Sequence, residues 1–327
     1  MTLIITAVTP EYCVMGADRR LTEGGRVVEE ESSKLTVLVT WDARTVVGYT
    51  GVARIQDFET DRWILDTLGS LRTQSDSIHT ILEGMRSAAS DAIQKLAGCG
   101  QKDLRLSLVV AGFIYQGDAE EGRIWKITNF EGAGSIPGRD HFKILTFVPK
   151  TPGESLLVAA GMTHAVGKDQ FEALESRLRE GIPAFGAERK LCHIIQSASL
   201  NPSAANAIGR QCNSCVVPRA TSEKITSVYY SDSISRNVYA VNAVLRGDIW
   251  AGGLLQTGAS SPPALVPKRR RNEPCSCGSK EKYKRCHGAM EFPFSPMFFE
   301  VQRTEPPIPP SGSKVMVLCL GSAGRAS

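Results

Sequence analysis

Short apolar runs separated by turn-forming residues dominate the first part of the chain. Leu3 to Val8 and Cys13 to Ala17 are two such runs, and the Thr-Pro-Glu-Tyr segment between them is typical of a tight turn. This pattern predicts a β-hairpin. Further β-rich runs predict strands over residues 35–40, 45–49, 104–115, 123–129, 155–160, 215–217 and 226–230.

Apolar residues recur at helical spacing in four longer segments. The predicted helices cover residues 53–71, 75–97, 167–180 and 186–200. Strands and helices therefore occur in groups, with the helices in pairs. This order favours an α+β fold with antiparallel sheets over a doubly wound parallel sheet.

The composition of the chain changes after residue 250. Residues 252–267 are rich in Gly, Ser, Pro and Thr, as in a linker. We therefore predict a main domain over 1–250, a basic linker over 251–271, a small cysteine-containing module over 272–288 and a low-structure tail over 289–327.

Charge and cysteine usage narrow the possible classes of protein. The 327-residue chain has a net charge of +4, but residues 268–288 contain eight Lys or Arg and two Glu, so this segment is +6 and the rest is −2. Acidic partners are therefore expected to bind the C-terminal part. The chain has no apolar run long enough for a membrane helix, no secretory signal and no disulfide framework among its nine cysteines, which predicts a cytoplasmic protein.

The predicted hairpin places three chemically useful residues close together. With the turn centred on Pro10 and Glu11, facing residues have numbers summing to about 20 or 21, so Thr2 lies opposite Asp18 or one residue away. Lys34 opens the next predicted strand. A hydroxyl, a carboxylate and an ammonium group are thus expected at one end of a sheet.

Removal of Met1 would make Thr2 the first residue, because methionine removal favours a small second residue. Its free amine, with an ordinary pKa of about 7.7 to 8.0, can then accept the proton of its own hydroxyl. Lys34 would disfavour protonation of this amine, and Asp18 would keep Lys34 charged and in place. Taken singly, Thr2, Asp18 and Lys34 are also ordinary second, turn and strand-start residues.

The spacing of Thr2, Ala17-Asp18-Arg19-Arg20 and Lys34 resembles the N-terminal nucleophile (Ntn) hydrolases of the proteasome β-subunit type. This resemblance implies a four-layer αββα sandwich, cleavage of amide bonds in a polypeptide or small amide, and a homo-oligomer. The segment YTGVARIQDF resembles the glycine turn whose N–H stabilises the oxyanion in that family, which would give this role to Gly51.

Two later segments depart from the family pattern. The chain has Thr163 where the family usually has a serine, and the GRQCNSC segment offers Ser214 but no carboxylate. The expected function is still a threonine peptidase or amide hydrolase. Because of these departures, the alternative is an inactive Ntn fold that serves as an interaction scaffold, with the C-terminal module as its functional part.

The C-terminal module contains a set of metal-binding residues. Cys275 and Cys277 are two residues apart, and Cys286 precedes His287, so three thiolates and one imidazole suit a closed tetrahedral Zn²⁺ site. Four protein ligands leave no open position, which predicts a structural zinc ion. A segment this short needs the metal in order to fold.

This segment, RRRNEPCSCGSKEKYKRCHG, closely resembles the SEC-C motif of the preprotein translocase ATPase SecA and other bacterial proteins. The resemblance implies that the basic module contacts a protein or the ribosome. Binding of ribosomal RNA is a further possibility that salt-dependent association would test. Cys212 and Cys215 have redox spacing, but their apolar, strand-like context favours buried structural cysteines.

Overall fold

The computed structural model describes most of the first 250 residues and short parts of the remainder. The described residues are 2–23, 26–30, 32–73, 75–98, 103–116, 119–130, 141–204, 206–230, 237–239, 241–246, 248–250, 254–256, 272, 282 and 297–300.

Four α-helices and nineteen strands form within these residues. The helices are α1 (Thr60–Ser70), α2 (Ile78–Gly98), α3 (Lys168–Arg179) and α4 (Ala184–Ser199), and two short 3₁₀ turns cover Thr163–Ala165 and Pro202–Ala204. The strands are β1 (Leu3–Val8), β2 (Tyr12–Asp18), β3 (Leu21–Glu23), β4 (Arg26–Glu29), β5 (Leu35–Val39), β6 (Ala43–Gly51), β7 (Arg54–Ile55), β8 (Phe58–Glu59), β9 (Leu106–Gln116), β10 (Ala119–Thr128), β11 (Lys143–Phe147), β12 (Leu156–Gly161), β13 (Cys212–Pro218), β14 (Thr226–Tyr230), β15 (Asn237–Tyr239), β16 (Asn242–Leu245), β17 (Asp248–Trp250), β18 (Leu254–Gln256) and β19 (Met297–Glu300).

Two large sheets organise the fold. The first has six strands in the order β12-β1-β2-β13-β14-β19, and the second has seven in the order β11-β10-β9-β6-β5-β16-β17. Neighbouring strands run antiparallel except β5 and β16, which pair in parallel. The predicted α+β class is confirmed, and the prediction of purely antiparallel sheets is wrong at this one pair.

Three apolar clusters show how the layers stack. One joins α1 and α2 to the seven-stranded sheet, as Met85 and Leu108 illustrate. A second joins α3 and α4 to the six-stranded sheet, with Leu191 near Ile5. The third, which includes Met15, fills the space between the sheets. The order of layers is therefore helices, sheet, sheet, helices.

The first hairpin forms in the predicted register. The Thr9 N–H donates to the Tyr12 carbonyl at 2.8 Å to close the turn, and Ile4 lies opposite Ala17. The sum of facing residue numbers is therefore 21, within the predicted range. Because both strands are central in the sheet, every residue of β1 and β2 is buried.

Residues beyond 250 also contribute to pairing. Strand β18 pairs with β15, and β19 pairs with the edge of β14. Both segments lie beyond the predicted main domain, and the boundaries at 250, 271 and 288 stay predictions. In the part of the chain described here, no helix combines the length and apolar character needed to span a membrane.

Candidate functional site

Thr2 lies at the start of β1 and its main chain is held on both sides. Its carbonyl oxygen accepts hydrogen bonds from the Thr50 hydroxyl at 3.0 Å and from the Met162 N–H at 3.0 Å. Its nitrogen lies 3.4 Å from the Thr50 oxygen. Thr2 is 4% exposed. Strand β6 and the turn that follows β12 therefore fix the position of Thr2 from two directions.

The Asp18 carboxylate ties the start of β1 to the end of β2. Its Oδ1 accepts the Leu3 N–H at 2.9 Å, directly after Thr2. Its Oδ2 lies 3.1 Å from each of three donors, the Lys34 Nζ and the N–H groups of Arg20 and Gly209. A fully buried carboxylate needs such donors to replace its lost hydration. Asp18 therefore has a fixed geometry.

Lys34 is a buried cation in the same cluster. Its ammonium group lies 3.1 Å from Asp18 Oδ2 and donates to the Arg20 carbonyl at 2.6 Å, and neither side chain of the ion pair is exposed. Burial lowers the pKa of Lys34, and the Asp18 charge and hydrogen bond partly oppose this decrease. The structure thus brings the predicted Asp18 and Lys34 together next to the residue that follows Thr2.

Gly161 allows a close main-chain approach to Thr2, and Gly51 allows one to Arg105. Gly51 has φ +106°, and a Cβ there would overlap the Arg105 carbonyl oxygen. Gly161 has φ +89°, and a Cβ there would overlap the Thr2 carbonyl oxygen. Both positions require glycine because of the backbone conformation and the lack of space.

A small cavity lies beside these glycines. Its volume is about 30 Å³, enough for one or two water molecules and too small for a peptide side chain. It is lined by Thr50, Gly51, Arg105, Phe130, Gly161, Met162 and His164. The predicted oxyanion donor Gly51 is thus on the wall of a cavity beside the residues that hold Thr2.

The short 3₁₀ turn after β12 presents two polar side chains near this cavity. His164 Nε2 lies 3.3 Å from the Ser203 carbonyl oxygen. Thr163, which the sequence places where the resembled family has a serine, is exposed on the turn. The contact from this turn to Thr2 comes from the Met162 main chain instead.

Ser214 belongs to a different part of the molecule. Its hydroxyl donates to Glu188 Oε1 at 2.5 Å, and Glu188 extends from α4. Both groups are buried between α4 and β13, on the helix side of the six-stranded sheet. The GRQCNSC segment itself contains no carboxylate, and the one that Ser214 contacts comes from α4.

Glu188 was not among the predicted site residues, although the sequence carries a signal for it. Ala184, Ala187, Leu191 and Ile195 follow helical spacing on one face of α4, and Glu188 lies on that face. A carboxylate within an apolar stripe indicates a buried polar contact. Burial raises the pKa of Glu188 from 4.5 to about 7, and the hydrogen bond from Ser214 opposes this increase.

Two sets of cysteines were singled out in the sequence, and the structure describes one of them. Cys212 and Cys215 are free thiols buried in the core, which confirms the prediction of structural cysteines. The predicted zinc ligands Cys275, Cys277, Cys286 and His287 lie outside the described residues. Among the described residues, no group of three or more His, Cys, Asp or Glu side chains is arranged to hold a metal ion.

Comparison with known proteins identifies the C-terminal module. The SEC-C motif matches residues 271–289, which confirms the motif predicted there. Two proteins described as protein translocase subunit SecA, from Paraburkholderia xenovorans and Paraburkholderia phytofirmans, are 48% identical over 50 residues, 15% of this chain and 5% of each relative. A SecA of Thiobacillus denitrificans is 27% identical over 154 residues, 42% of this chain and 17% of that protein. The chain spans only these small shares of the curated relatives it matches.

Solved structures similar to this chain include three described as Anbu. Anbu (ancestral beta-subunit) from Yersinia bercovieri is 14% identical, with a TM-score of 0.45 over 67% of this chain and 82% of that chain. An Anbu (Gly-1) mutant from Hyphomicrobium sp. strain MC1 is 12% identical, with a TM-score of 0.44 over 79% of this chain and 88% of that chain. A helical assembly of the Anbu complex from Pseudomonas aeruginosa is 17% identical, with a TM-score of 0.44 over 67% of this chain and 81% of that chain.

Proposed function

We propose that this chain is a threonine-type N-terminal nucleophile amidohydrolase that cleaves a polypeptide or small amide with Thr2 after removal of Met1. The observation that supports this proposal is the Asp18 carboxylate, which accepts the Leu3 N–H and the Lys34 ammonium in full burial. This arrangement joins a fixed cation to the chain segment that begins with Thr2.

In the proposed reaction, the Thr2 amine accepts the proton of the Thr2 hydroxyl. The Thr2 oxygen attacks the substrate carbonyl carbon and an ester forms, while the proton passes to the leaving amine. A water molecule, activated by the same amine, then hydrolyses the ester and restores the hydroxyl. The Gly51 N–H stabilises the oxyanion of both tetrahedral intermediates.

The buried charges support the role of the amine as a base. A cation near an amine disfavours its protonation and lowers its pKa. Lys34 provides such a charge, and the carbonyl of Arg20 and the carboxylate of Asp18 hold it in place. In the proposed mechanism, this cation lowers the pKa of the Thr2 amine and so favours its neutral form, which accepts a proton.

Mass spectrometry tests this function. We expect the intact purified protein to lack Met1 and to gain the mass of a peptide epoxyketone or vinyl sulfone at Thr2. Thr2→Ala, which also permits methionine removal, should abolish labelling, and substitution of the exposed Thr151 by Ala should leave it unchanged. Retention of Met1, or labelling of the Thr2→Ala protein, would contradict the proposal.

We further propose that Cys275, Cys277, Cys286 and His287 hold a structural zinc ion. Three thiolates and one imidazole are a donor set that fits tetrahedral zinc. The surrounding segment has a charge of +6, which suits an acidic protein surface or ribosomal RNA. The folded module would recruit the enzyme to such a partner in the cytoplasm, and the main domain would assemble as a homo-oligomer.

The second candidate function is an inactive scaffold with the SEC-C module as its binding part. The cavity at Gly51 favours it, because Thr2 is not among the residues that line this cavity. The hydrogen bond from Ser214 to Glu188 also favours the scaffold, since this serine contacts Glu188 and does not support Thr2. Partner binding that persists in the Thr2→Ala protein, together with the absence of labelling in the wild type, would support the scaffold.

A further inference from the structure

Thr50 lies on β6, in the seven-stranded sheet, and its side chain faces the start of β1 in the six-stranded sheet. A Cβ on Gly48 would meet the Ile4 side chain at 3.2 Å, so β6 is packed against β1 at this point. Side chains two residues apart in a strand point to the same face. Thr50 therefore faces β1, as Gly48 does, and its side chain reaches Thr2. It is 1% exposed.

One hydroxyl group contacts both main-chain polar atoms of Thr2. The Thr50 hydroxyl donates its hydrogen to the Thr2 carbonyl oxygen at 3.0 Å, and its oxygen accepts the Thr2 N–H at 3.4 Å. A hydroxyl has one hydrogen and two lone pairs, so it can fill both roles at once. Among the described residues, Thr50 is the one whose side chain forms hydrogen bonds with Thr2.

This double contact restricts the torsion that positions the Thr2 nitrogen. The carbonyl oxygen of the peptide group after Thr2 also accepts the Met162 N–H at 3.0 Å. The N–H of the same peptide group, that of Leu3, donates to Asp18 Oδ1 at 2.9 Å. Since a peptide group is planar, these bonds fix it as a unit. Rotation about the Cα–C bond of Thr2 would still move the nitrogen, and a hydroxyl that contacts both the nitrogen and the oxygen opposes this rotation.

We infer that Thr50 is a positioning residue of the Thr2 site, whose hydroxyl orients the free amine once Thr2 is the first residue. The inference rests on the proposed function, because it concerns that amine as the base of the reaction. Thr163, where the resembled family has a serine, is exposed, and its turn reaches Thr2 through the Met162 main chain. In this chain, the hydroxyl beside the Thr2 nitrogen therefore comes from β6.

The contact also acts on the proton affinity of the amine. Because the hydroxyl hydrogen is directed to the Thr2 carbonyl oxygen, the Thr50 oxygen faces the nitrogen as an acceptor. An acceptor stabilises an ammonium group more than a neutral amine, and so raises its pKa. Lys34, in the proposed mechanism, lowers the same pKa. Together the two effects keep the amine basic enough to accept the proton of the Thr2 hydroxyl.

The charged groups around Thr2 do not depend on this hydroxyl. The charged and titratable side chains on the surrounding elements are Asp18, Arg19 and Arg20 at the end of β2, Lys34 before β5, Arg105 before β9 and His164 in the turn after β12. Replacement of Thr50 by Val removes a neutral group and leaves these charges unchanged. A change in the titration of the Thr2 amine in that variant would therefore come from the loss of the hydroxyl.

Nuclear magnetic resonance tests the inference without relying on catalysis. The full chain is produced with a cleavable N-terminal fusion that leaves Thr2 first, and it is labelled with ¹³C-threonine. The Thr2 signal, assigned by its loss in Thr2→Ser, is titrated to give the pKa of the amine. Thr50→Val removes the hydroxyl at nearly constant shape, and Thr50→Ser keeps it. Thr45→Val is the control, because the Thr45 hydroxyl is buried on the same strand and donates to the Leu38 carbonyl at 3.0 Å.

We expect Thr50→Val to lower the pKa of the Thr2 amine by about 0.5 to 1 pH unit. Its reaction with a peptide epoxyketone, at a pH above that pKa, should slow by about tenfold because the amine is no longer oriented. Thr50→Ser should restore both values, and Thr45→Val should change neither. An unchanged pKa or rate in Thr50→Val, or the same shift in Thr50→Ser, overturns the inference. If Thr50→Val does not fold, Thr50→Ala replaces it as the variant without a hydroxyl.

Covalent labelling separates this inference from the proposed function. Wild-type protein with Thr2 first that never reacts with a peptide epoxyketone contradicts the hydrolase, whatever the titration shows. A reactive wild type with an unchanged titration in Thr50→Val contradicts the role of Thr50 alone. The two proposals therefore fail through different measurements.

Discussion

The Ser214 hydroxyl donates a hydrogen bond to Glu188 Oε1 at 2.5 Å inside the core between α4 and β13. Glu188 is 2% exposed, so its ionised form lacks hydration there. The bond links a helix to a central strand of the six-stranded sheet. Because the neutral carboxyl is the favoured form in this environment, the pair connects the pH of the solution to the stability of the fold.

The first prediction concerns this pH dependence. The pKa of Glu188 is raised from 4.5 to about 7 in the folded protein, so the folded state binds a proton more tightly than the unfolded state. Its contribution to stability is therefore fully present below about pH 4.5 and is lost as the pH rises through about 7. We expect the free energy of unfolding to fall by up to about 3 kcal/mol over this interval.

Urea unfolding at pH 5, 6, 7 and 8 measures this dependence. Glu188→Gln, which cannot ionise, should remove most of the decrease seen in the wild type. Substitution of Glu223, an exposed glutamate, by Gln should leave the decrease unchanged. Parallel curves for the wild type and Glu188→Gln would show that Glu188 does not titrate in this interval.

The second prediction concerns the C-terminal module. We expect one zinc ion per chain by elemental analysis, and loss of that ion on Cys275→Ser or Cys286→Ser. Metal binding worth about 10 to 16 kcal/mol in comparable peptides would fold the module, so both variants should become sensitive to protease within 272–288. Cys319→Ser is the control, because this cysteine lies outside the motif. A wild-type protein without zinc would contradict the assignment.

Much of the sandwich could be predicted because its strands and helices have strong local signals. The Thr-Pro-Glu-Tyr turn set the register of the first hairpin, and the 3.6-residue period located all four helices. The helix predicted over 53–71 is wrong at its start, because it begins at Thr60 and the residues before it form β7 and β8. Strand β11 was missed because it is an edge strand whose residues are mostly exposed or half-buried, without clear alternation. Strand β16 was missed because it is short and pairs in parallel with β5, about 200 residues earlier, which leaves no local signature.

The candidate site could be predicted only in part for a similar reason. Asp18 and Lys34 were found because one hairpin and the next strand bring them together. The bonds from Thr50, Met162 and Gly209 to this site come from loops and strands distant in sequence. Such contacts depend on how the two sheets stack, which no spacing in the sequence records.

The third prediction concerns the buried Asp18–Lys34 ion pair. Asp18→Asn leaves the buried Lys34 ammonium with only the Arg20 carbonyl oxygen as a charge-stabilising partner in this cluster. Lys34→Met leaves the Asp18 carboxylate with three main-chain N–H donors, those of Leu3, Arg20 and Gly209. We therefore expect Asp18→Asn to cost about 3 to 5 kcal/mol and Lys34→Met to cost less.

Urea unfolding of the two single variants and the double variant measures this difference. The double variant should be more stable than the sum of the single effects implies, because neither residual charge is left alone. Additive losses would show that the two side chains do not stabilise each other. A larger loss for Lys34→Met would show that the buried carboxylate is harder to leave without its partner than the buried ammonium, which contradicts the prediction.

The fourth prediction compares two glycines with nearly equal backbone angles. Gly161 has φ +89° and Gly153 has φ +85°, but only Gly161 has atoms where a Cβ would lie, the Thr2 carbonyl oxygen and the Thr50 hydroxyl. Gly153→Ala should therefore cost about 1 kcal/mol for the left-handed conformation alone. Gly161→Ala should cost about 1 to 3 kcal/mol more, because β12 must move away from β1.

Gly161→Ala should also slow labelling of Thr2, since Met162, whose N–H binds the Thr2 carbonyl oxygen, directly follows Gly161. Unfolding and labelling measured on both variants separate the two causes, because backbone strain affects them equally while the clash affects only Gly161→Ala. Equal losses in both variants would mean that the close approach of β12 does not position Thr2.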